Sequence, residues 1–164
     1  MKQRIMFFVL ALLLVGMFTS TSALAQHPEF MQPVDLGDWF DQFFGSPEDE
    51  VEPGANLAYI YQDGDDNSSE QVQEGTDNRA YVYQNGNSNV AQQWQSGVGN
   101  WAGVYQMGDR NVAATQQVGT GNWAGIYQMG NANTARIQQS GNNFSALITQ
   151  VGNGNTAVIT QGAR

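Results

Sequence analysis

The chain has 164 residues, a formal net charge of −9 at pH 7 and no cysteine. Nucleic acid is not expected as a partner, because binding to phosphates depends on positive charge and the chain has few Lys and Arg residues. Without cysteine there is no disulfide and no thiol nucleophile, and the only histidine is His27. We therefore expect a structural protein, not an enzyme, with no catalytic residue, cofactor or metal site.

Residues 1–25 have the features of a secretory signal peptide. Two basic residues precede an apolar run from Ile5 to Phe18, and the small residues Ala23 and Ala25 end the segment. The apolar run is shorter than the ~20 residues that a membrane-spanning helix needs. We expect cleavage before Gln26 and export of the mature chain.

Residues 26–55 differ in composition from the rest of the chain. They contain all four prolines and eight of the acidic residues, as is typical of a disordered segment. We expect an acidic, aromatic and mostly disordered N-terminal segment. Its exception is the motif Asp38-Trp-Phe-Asp-Gln-Phe-Phe44, which is either an apolar patch in a flexible tail or a docking motif that folds on a partner.

From residue 56 to residue 164 the chain repeats every eleven residues. Residues 100–108 read Asn-Trp-Ala-Gly-Val-Tyr-Gln-Met-Gly, and residues 122–130 differ only by Ile in place of Val. The repeating unit is Asn-x-Ala-x-x-x-Gln-x-Gly-x-x, and a fixed period of this kind indicates a repeat architecture. Pairs of units give five longer repeats, at 56–77, 78–99, 100–121, 122–143 and 144–164.

Three residue types recur at fixed positions of the unit and form three sets of candidate assembly residues. The glutamines are Gln62, Gln73, Gln84, Gln95, Gln106, Gln117, Gln128, Gln139, Gln150 and Gln161. The asparagines, interrupted once by Phe144, are Asn56, Asn67, Asn78, Asn89, Asn100, Asn111, Asn122, Asn133 and Asn155. The turn glycines are Gly64, Gly75, Gly86, Gly97, Gly108, Gly119, Gly130, Gly141 and Gly152.

Each unit predicts one β-strand followed by a tight turn. An eleven-residue period also fits a right-handed coiled coil, but the regular glycine and the many β-branched and aromatic residues disfavour helix. In a strand that runs from Asn to Gln, alternation places Asn, Ala, the fifth residue and Gln on one face. The fifth residue is Ile or Val in most units, so this face is expected to be buried. The glycine suits a turn with positive φ.

Two strands and two turns close one 22-residue layer, which we call a rung. The sequence therefore predicts an all-β, two-sheet β-solenoid of five rungs, in which stacking buries a continuous core. Buried amides are costly unless they are paired, but identical amides stacked every ~4.8 Å can hydrogen bond to one another. The Asn and Gln columns are thus predicted to form an assembly ladder.

The predicted solenoid has no polar or irregular cap at its C-terminal end, because the motif stays in register as far as Gln161. Open strand edges favour head-to-tail stacking into a cross-β amyloid fibre. The first repeat is strongly acidic, whereas Arg136 and Arg164 lie near the other end. We expect this polarity to help set the direction of stacking and to slow premature stacking inside the cell.

The opposite face of one of the two predicted sheets carries a stripe of aromatic residues, which we expect to lie outward on a solvated surface. The stripe consists of Tyr61, Tyr83, Tyr105 and Tyr127, with Tyr59, Tyr81, Trp101 and Trp123 beside them. It either stiffens a fibre by ladder packing or binds other fibrils and surfaces.

The motif Gln-x-Gly-x-x-Asn-x-Ala-x-x-x-Gln, repeated through residues 56–164 behind a signal peptide, resembles curlin, the subunit family of bacterial curli amyloid. The resemblance implies a secreted subunit of an extracellular cell-surface fibre, a fimbrium, that mediates adhesion and biofilm matrix formation. It implies as partners further copies of the chain, a nucleating curlin subunit, an outer-membrane secretion pore and periplasmic accessory proteins. In that family the Gln and Asn columns are the assembly residues.

Two alternatives to a major fibre subunit stay open: the minor, nucleating curlin subunit and a soluble secreted β-solenoid adhesin. The regular last repeat favours the major subunit, whereas residues 26–55 depart from the Gly- and Asn-rich segment that is usual in the family. Residues 63–74 nearly fit a calcium-binding loop, but Ser68 stands where the loop needs glycine. The repeat already explains Asn67, so no calcium site is predicted.

Overall fold

The computed structural model describes residues 52–162, which form ten β-strands and no helix. The strands are β1 Leu57–Asp63, β2 Ser68–Thr76, β3 Arg79–Asn85, β4 Val90–Val98, β5 Trp101–Met107, β6 Val112–Thr120, β7 Trp123–Met129, β8 Thr134–Asn142, β9 Ser145–Val151 and β10 Thr156–Gly162. The predicted signal peptide, the aromatic motif at 38–44 and Arg164 lie outside the described residues. The predicted domain boundaries stay predictions.

The strands form two parallel five-stranded sheets. Sheet A has the order β1-β3-β5-β7-β9, and sheet B has the order β2-β4-β6-β8-β10. Neighbouring strands pair with a shift of one 22-residue repeat, so that Gln62 pairs with Gln84 in sheet A and Gln73 with Gln95 in sheet B. Because the chain alternates between the sheets, each successive pair of strands forms one rung. The predicted five-rung β-solenoid is confirmed.

The strand limits differ slightly from the predicted Asn-to-Gln segments. Each strand begins one residue after the Asn position, and β2, β4, β6 and β8 extend to nine residues. In these longer strands the ladder continues through the turn glycine, and Gly97 pairs with Gly119. The φ angles of Gly97 and Gly119 are +128° and +124°, which only glycine adopts readily. Glycine at this position therefore lets strand pairing continue past the predicted end of the strand.

The core lies between the two sheets and is built from columns of equivalent residues. In sheet A the alanine column includes Ala80, Ala102 and Ala124, all with no exposed surface. Val82 is likewise fully buried and Ile126 is 1% exposed. The face that carries the alanines and the fifth residue of each unit is therefore the buried face, as the alternation predicts.

Part of the core in sheet B is polar. The fifth residue is Gln71 in β2, Gln93 in β4 and Thr115 in β6, before isoleucine takes over in β8 and β10. The Gln71 Nε2 atom donates to Gln93 Oε1 at 2.8 Å and to the carbonyl oxygen of Tyr59 at 3.2 Å. The hydroxyl of Thr115 is buried and has no hydrogen-bond partner among residues 52–162. The first three rungs thus have a less apolar core than the last two.

The turns require positive φ at two positions. At the turn-glycine position, Gly108 has a φ of +112°, and a Cβ atom there would overlap the carbonyl oxygen of Gly130 in the next rung. The second position directly precedes the Asn column and holds Arg110 at a φ of 57° and Ala132 at 56°. This second left-handed residue was not predicted from the repeat. Because residues other than glycine reach this region at modest cost, their identity varies.

Candidate assembly site

The glutamine columns form two continuous hydrogen-bonded ladders. In sheet A the Nε2 atom of each glutamine from Gln62 onward donates to Oε1 of the glutamine in the next rung at 2.7–2.9 Å, ending at Gln150. The ladder in sheet B runs from Gln73 to Gln161 at 2.8–2.9 Å. The second N–H of Gln106 donates to the carbonyl oxygen of Val90 in sheet B at 3.1 Å. These inner amides are fully buried and yet fully paired.

The asparagine columns form ladders of the opposite polarity. The backbone N–H and the Nδ2 atom of Asn100 both donate to Oδ1 of Asn78 in the previous rung, at 3.1 and 2.9 Å. Nδ2 of Asn100 also donates to the carbonyl oxygen of Gly119 at 2.9 Å. In sheet B, Asn111 repeats this arrangement with Asn89. Each Asn thus ties the start of a strand to the previous rung, whereas each Gln donates to the next rung.

The two ends of the ladders are chemically complementary. In the last rung, Nε2 of Gln150 and of Gln161 each donate to one backbone carbonyl at 3.1 Å, and residues 52–162 provide no acceptor for the second N–H. In the first rung, Gln62 and Gln73 donate to the second rung, but residues 52–162 provide no donor for their Oε1 atoms. One end therefore presents glutamine donors and the other presents glutamine acceptors.

The first rung also exposes core residues. Ile60 occupies the same column as Val82, but Ile60 is 44% exposed and Val82 is fully buried. In the last rung, Ile159 is partly buried, whereas Ile137 beside it has no exposed surface. Within residues 52–162, the apolar columns are thus covered in the middle of the solenoid and open at its first rung.

Phe144 interrupts the asparagine ladder of sheet A. Its backbone N–H donates to Oδ1 of Asn122 at 3.1 Å, as an asparagine at this position would also do. Its side chain supplies no amide, so the ladder stops in the fifth rung. In sheet B the equivalent position is Asn155, whose Nδ2 atom donates to Asn133 Oδ1 at 3.0 Å.

All nine turn glycines that the repeat identifies have positive φ, between 97° and 139°. Among them, Gly64, Gly86, Gly97 and Gly119 are stacked as closely on the next rung as Gly108 is. Gly152, in the last rung, has no such neighbour among residues 52–162, and the nearest atom to a Cβ there is Nδ2 of Asn155 at 3.5 Å.

The aromatic stripe lies on the outer face of sheet A, but the expectation of a solvated surface is wrong for its inner members. Consecutive rings from Tyr61 to Tyr127 stack with centroids 4.7–5.1 Å apart, and Trp101 stacks on Trp123 at 5.0 Å. Tyr105 is only 4% exposed, because rings on both sides cover its faces, whereas Tyr61 at the end of the stack is 43% exposed. The stripe is therefore a packed ladder.

Charged residues are concentrated in the first rung. Asp63 accepts a hydrogen bond from Nδ2 of Asn85 at 3.1 Å, and the remaining carboxylates of the rung lie along its turns and outer faces. Among residues 52–162 no group of three or more His, Cys, Asp or Glu side chains is arranged to hold a metal ion.

Two hydrogen bonds that complete the ladders were not predicted. The side-chain N–H groups of the glutamines donate across the core to backbone carbonyls of the opposite sheet. The side-chain Oδ1 atoms of the asparagines accept from backbone N–H groups of the next rung. The fixed positions of Gln and Asn at opposite ends of each strand predict the side-chain ladders, but not these additional bonds to backbone atoms. Since the partners are backbone atoms, which are the same in every residue, no pattern of side chains identifies them.

The fold and the ladders together define a class of protein. It is a parallel β-solenoid whose glutamine ladders end in donors in the last rung and in acceptors in the first rung, and it has the internal order of an amyloid fibre. The described residues include no helix that is long and apolar enough to cross a membrane.

Comparison with known families specifies the class further. Residues 108–140 and 130–162 match the family model of the curlin associated repeat. A search of curated proteins finds no match to the chain. The two matched segments overlap and together cover residues 108–162, from the turn after β5 to the end of β10. These two matches support assignment of the chain to the curlin family.

Breaking one inner glutamine ladder is expected to destabilise the fold strongly. Gln117→Leu removes the hydrogen bonds to Gln95, Gln139 and the Trp101 carbonyl and leaves these three groups unpaired in the core. We expect a loss of about 2–4 kcal/mol in the free energy of unfolding, measured by denaturant titration of the β-sheet circular dichroism. Gln92→Leu, on the exposed outer face of the same sheet, is the control and is expected to change stability by less than about 0.5 kcal/mol. Equal losses in the two variants would contradict the ladder's role.

The stacked tyrosines predict a loss of stability in alkali. Burial, with smaller contributions from Tyr83 and Tyr127, raises the pKa of Tyr105, and burial also raises the pKa of Tyr127. An unfolded tyrosine loses its proton near pH 10.0, whereas these buried phenols keep theirs. The stabilisation is therefore fully present below pH 10 and is lost as the pH rises above it.

Circular dichroism of the sheets between pH 8 and pH 12 measures this effect. We expect the double variant Tyr105→Phe with Tyr127→Phe to lose less structure above pH 10 than the original chain, because phenylalanine has no proton to release. An identical alkaline transition in both proteins would show that these phenols do not control it.

Proposed function

We propose that copies of this curli-type amyloid subunit stack head to tail into an extracellular cell-surface fibre that mediates adhesion and forms biofilm matrix. The observation that carries the proposal is the complementarity of the two ends. The last rung offers the N–H groups of Gln150 and Gln161, and the first rung offers the Oε1 atoms of Gln62 and Gln73. Each glutamine ladder that ends in one copy continues in the next. Each hydrogen bond gained at the junction contributes about 0.5–1.5 kcal/mol net, so stacking is favourable.

Charge supports the same direction of stacking. The first rung carries six carboxylates, and residues 144–162 contain no charged side chain. Two first rungs that met face to face would bring like charges within ~5 Å and would set glutamine acceptors against acceptors. A first rung on a last rung avoids both penalties. The formal net charge of −9 on each copy also slows the encounter between copies at low ionic strength.

The regular last rung supports a role as the major subunit. Asn155, Gln150 and Gln161 keep the contacts of the inner rungs, so this end can support continuous growth. The partners in this proposal are further copies of the chain, a nucleating curlin subunit, an outer-membrane secretion pore and periplasmic accessory proteins. The predicted signal peptide at 1–25 supports secretion.

A substitution at the open end tests head-to-tail stacking. A Cβ atom on Gly130 would overlap the carbonyl oxygen of Gly152, and the continued register places Gly64 of the next copy in the same relation to Gly152. We expect Gly152→Ala to slow seeded elongation by at least about tenfold, because the methyl group would overlap the incoming copy and alanine is strained at the φ of +111° of this turn. Thioflavin fluorescence of the full chain grown on its own seeds measures the rate.

The control is Gly154→Ala in the same turn. Gly154 has a φ of +69° and open space around its Cβ direction, and Ala132 already occupies the equivalent position of another turn at a φ of 56°. This variant is expected to elongate within about twofold of the original rate. Equal rates for the two variants would contradict stacking in this register, and a chain that stays a β-rich monomer would support a soluble adhesin.

A further inference from the structure

The last rung is not fully matched to the first. Inside the chain, each asparagine of sheet A provides an Oδ1 atom that accepts two hydrogen bonds from the following rung, as Asn78 does from Asn100. Phe144 stands at the last position of this column and provides no acceptor. Its side chain is half-buried at the end of the solenoid. The next rung would therefore find no partner at this position.

Continuing the 22-residue register into a second copy shows which contacts the junction makes. Gln150 and Gln161 meet Gln62 and Gln73 of the second copy, so both glutamine ladders continue, and Asn155 continues the asparagine ladder of sheet B. The fourth ladder does not continue. Asn56 of the second copy lies on Phe144, which leaves its backbone N–H and one N–H of its side chain without the acceptor that every inner rung provides.

A second mismatch lies in the core at the same junction. The Oε1 atom of Gln71 is buried and has no hydrogen-bond partner among residues 52–162. The continued register places it on Ile159, whose side chain has no donor. Inside the chain the equivalent acceptor, Oε1 of Gln93, is paired, because Nε2 of Gln71 donates to it. Docking of a second copy therefore leaves this acceptor unpaired.

We propose that the edge formed by β9 and β10 docks the first rung of a second copy, and that Phe144 makes this junction weaker than any layer inside the chain. The inference rests on the proposed head-to-tail fibre and adds the residue that limits its strength. A fibre built in this way breaks and dissociates at boundaries between copies. Its growth is slower than an uninterrupted asparagine ladder would allow.

Phe144→Asn restores the missing amide and tests the proposal. Asparagine occupies every other position of this column, so the variant is compatible with the fold. We expect the concentration of full chain that remains soluble beside its fibres to fall about tenfold, as two added hydrogen bonds predict. Phe144→Leu, which alters the ring without adding an amide, is the control and is expected to stay within about twofold of the original value.

A double-variant cycle separates the junction from effects inside one copy. Residues 56 and 144 lie on the β1 and β9 sides of sheet A, at opposite edges, and cannot touch within one chain. We expect Asn56→Ala to reduce the gain from Phe144→Asn to about threefold or less, because the side-chain donor of the second copy is then absent. Additive effects of the two substitutions, or equal solubility of the Phe144→Asn and Phe144→Leu variants, would overturn the inference. Failure of the original chain to form seedable fibres would instead refute the proposed function.

Discussion

The hydrogen bond between buried amides of adjacent rungs is the interaction on which the rest of the structure depends. Each inner glutamine and asparagine is buried, and the cost of burial is offset only because the next rung supplies an identical amide at the same position. This requirement fixes the repeat length, since an insertion of one residue would put polar groups on apolar columns. It also fixes the register of both sheets and leaves the alanine and Ile/Val columns to fill the space between them.

The same interaction gives the solenoid a direction. Glutamine side chains donate toward the C-terminal end, and asparagine side chains donate toward the N-terminal end, so the two ends cannot be interchanged. The turn glycines allow the rungs to approach closely enough for these bonds, because any side chain at Gly108 would displace the next rung. Where a column changes residue type, as at Phe144 or between Thr115 and Ile137, pairing is lost locally. Order within the chain and attachment between chains therefore have the same physical basis.

Much of the fold was predictable because the same eleven-residue pattern occurs ten times in the sequence. The strand direction, the buried face and the five rungs follow from the spacing of Gln, Ala and Gly alone. The sequence did not predict the second left-handed residue of each turn, since positions such as Arg110 and Ala132 tolerate many residue types. It also did not predict the burial of Tyr83 and Tyr105, because alternation assigns a face to a side chain but not the stacking that covers it. Hydrogen bonds to backbone atoms have no signature in the sequence at all.

The mass per length of the fibre tests head-to-tail stacking of five-rung solenoids most directly. Five rungs at ~4.8 Å each predict one copy of the chain for about every 24 Å of fibre axis in a single filament. Scanning transmission electron microscopy of unstained fibres, combined with the mass of the subunit recovered from them, measures this spacing. A value near one copy per ~24 Å supports the account. One copy per ~4.8 Å would mean that each chain contributes a single layer, and would contradict it.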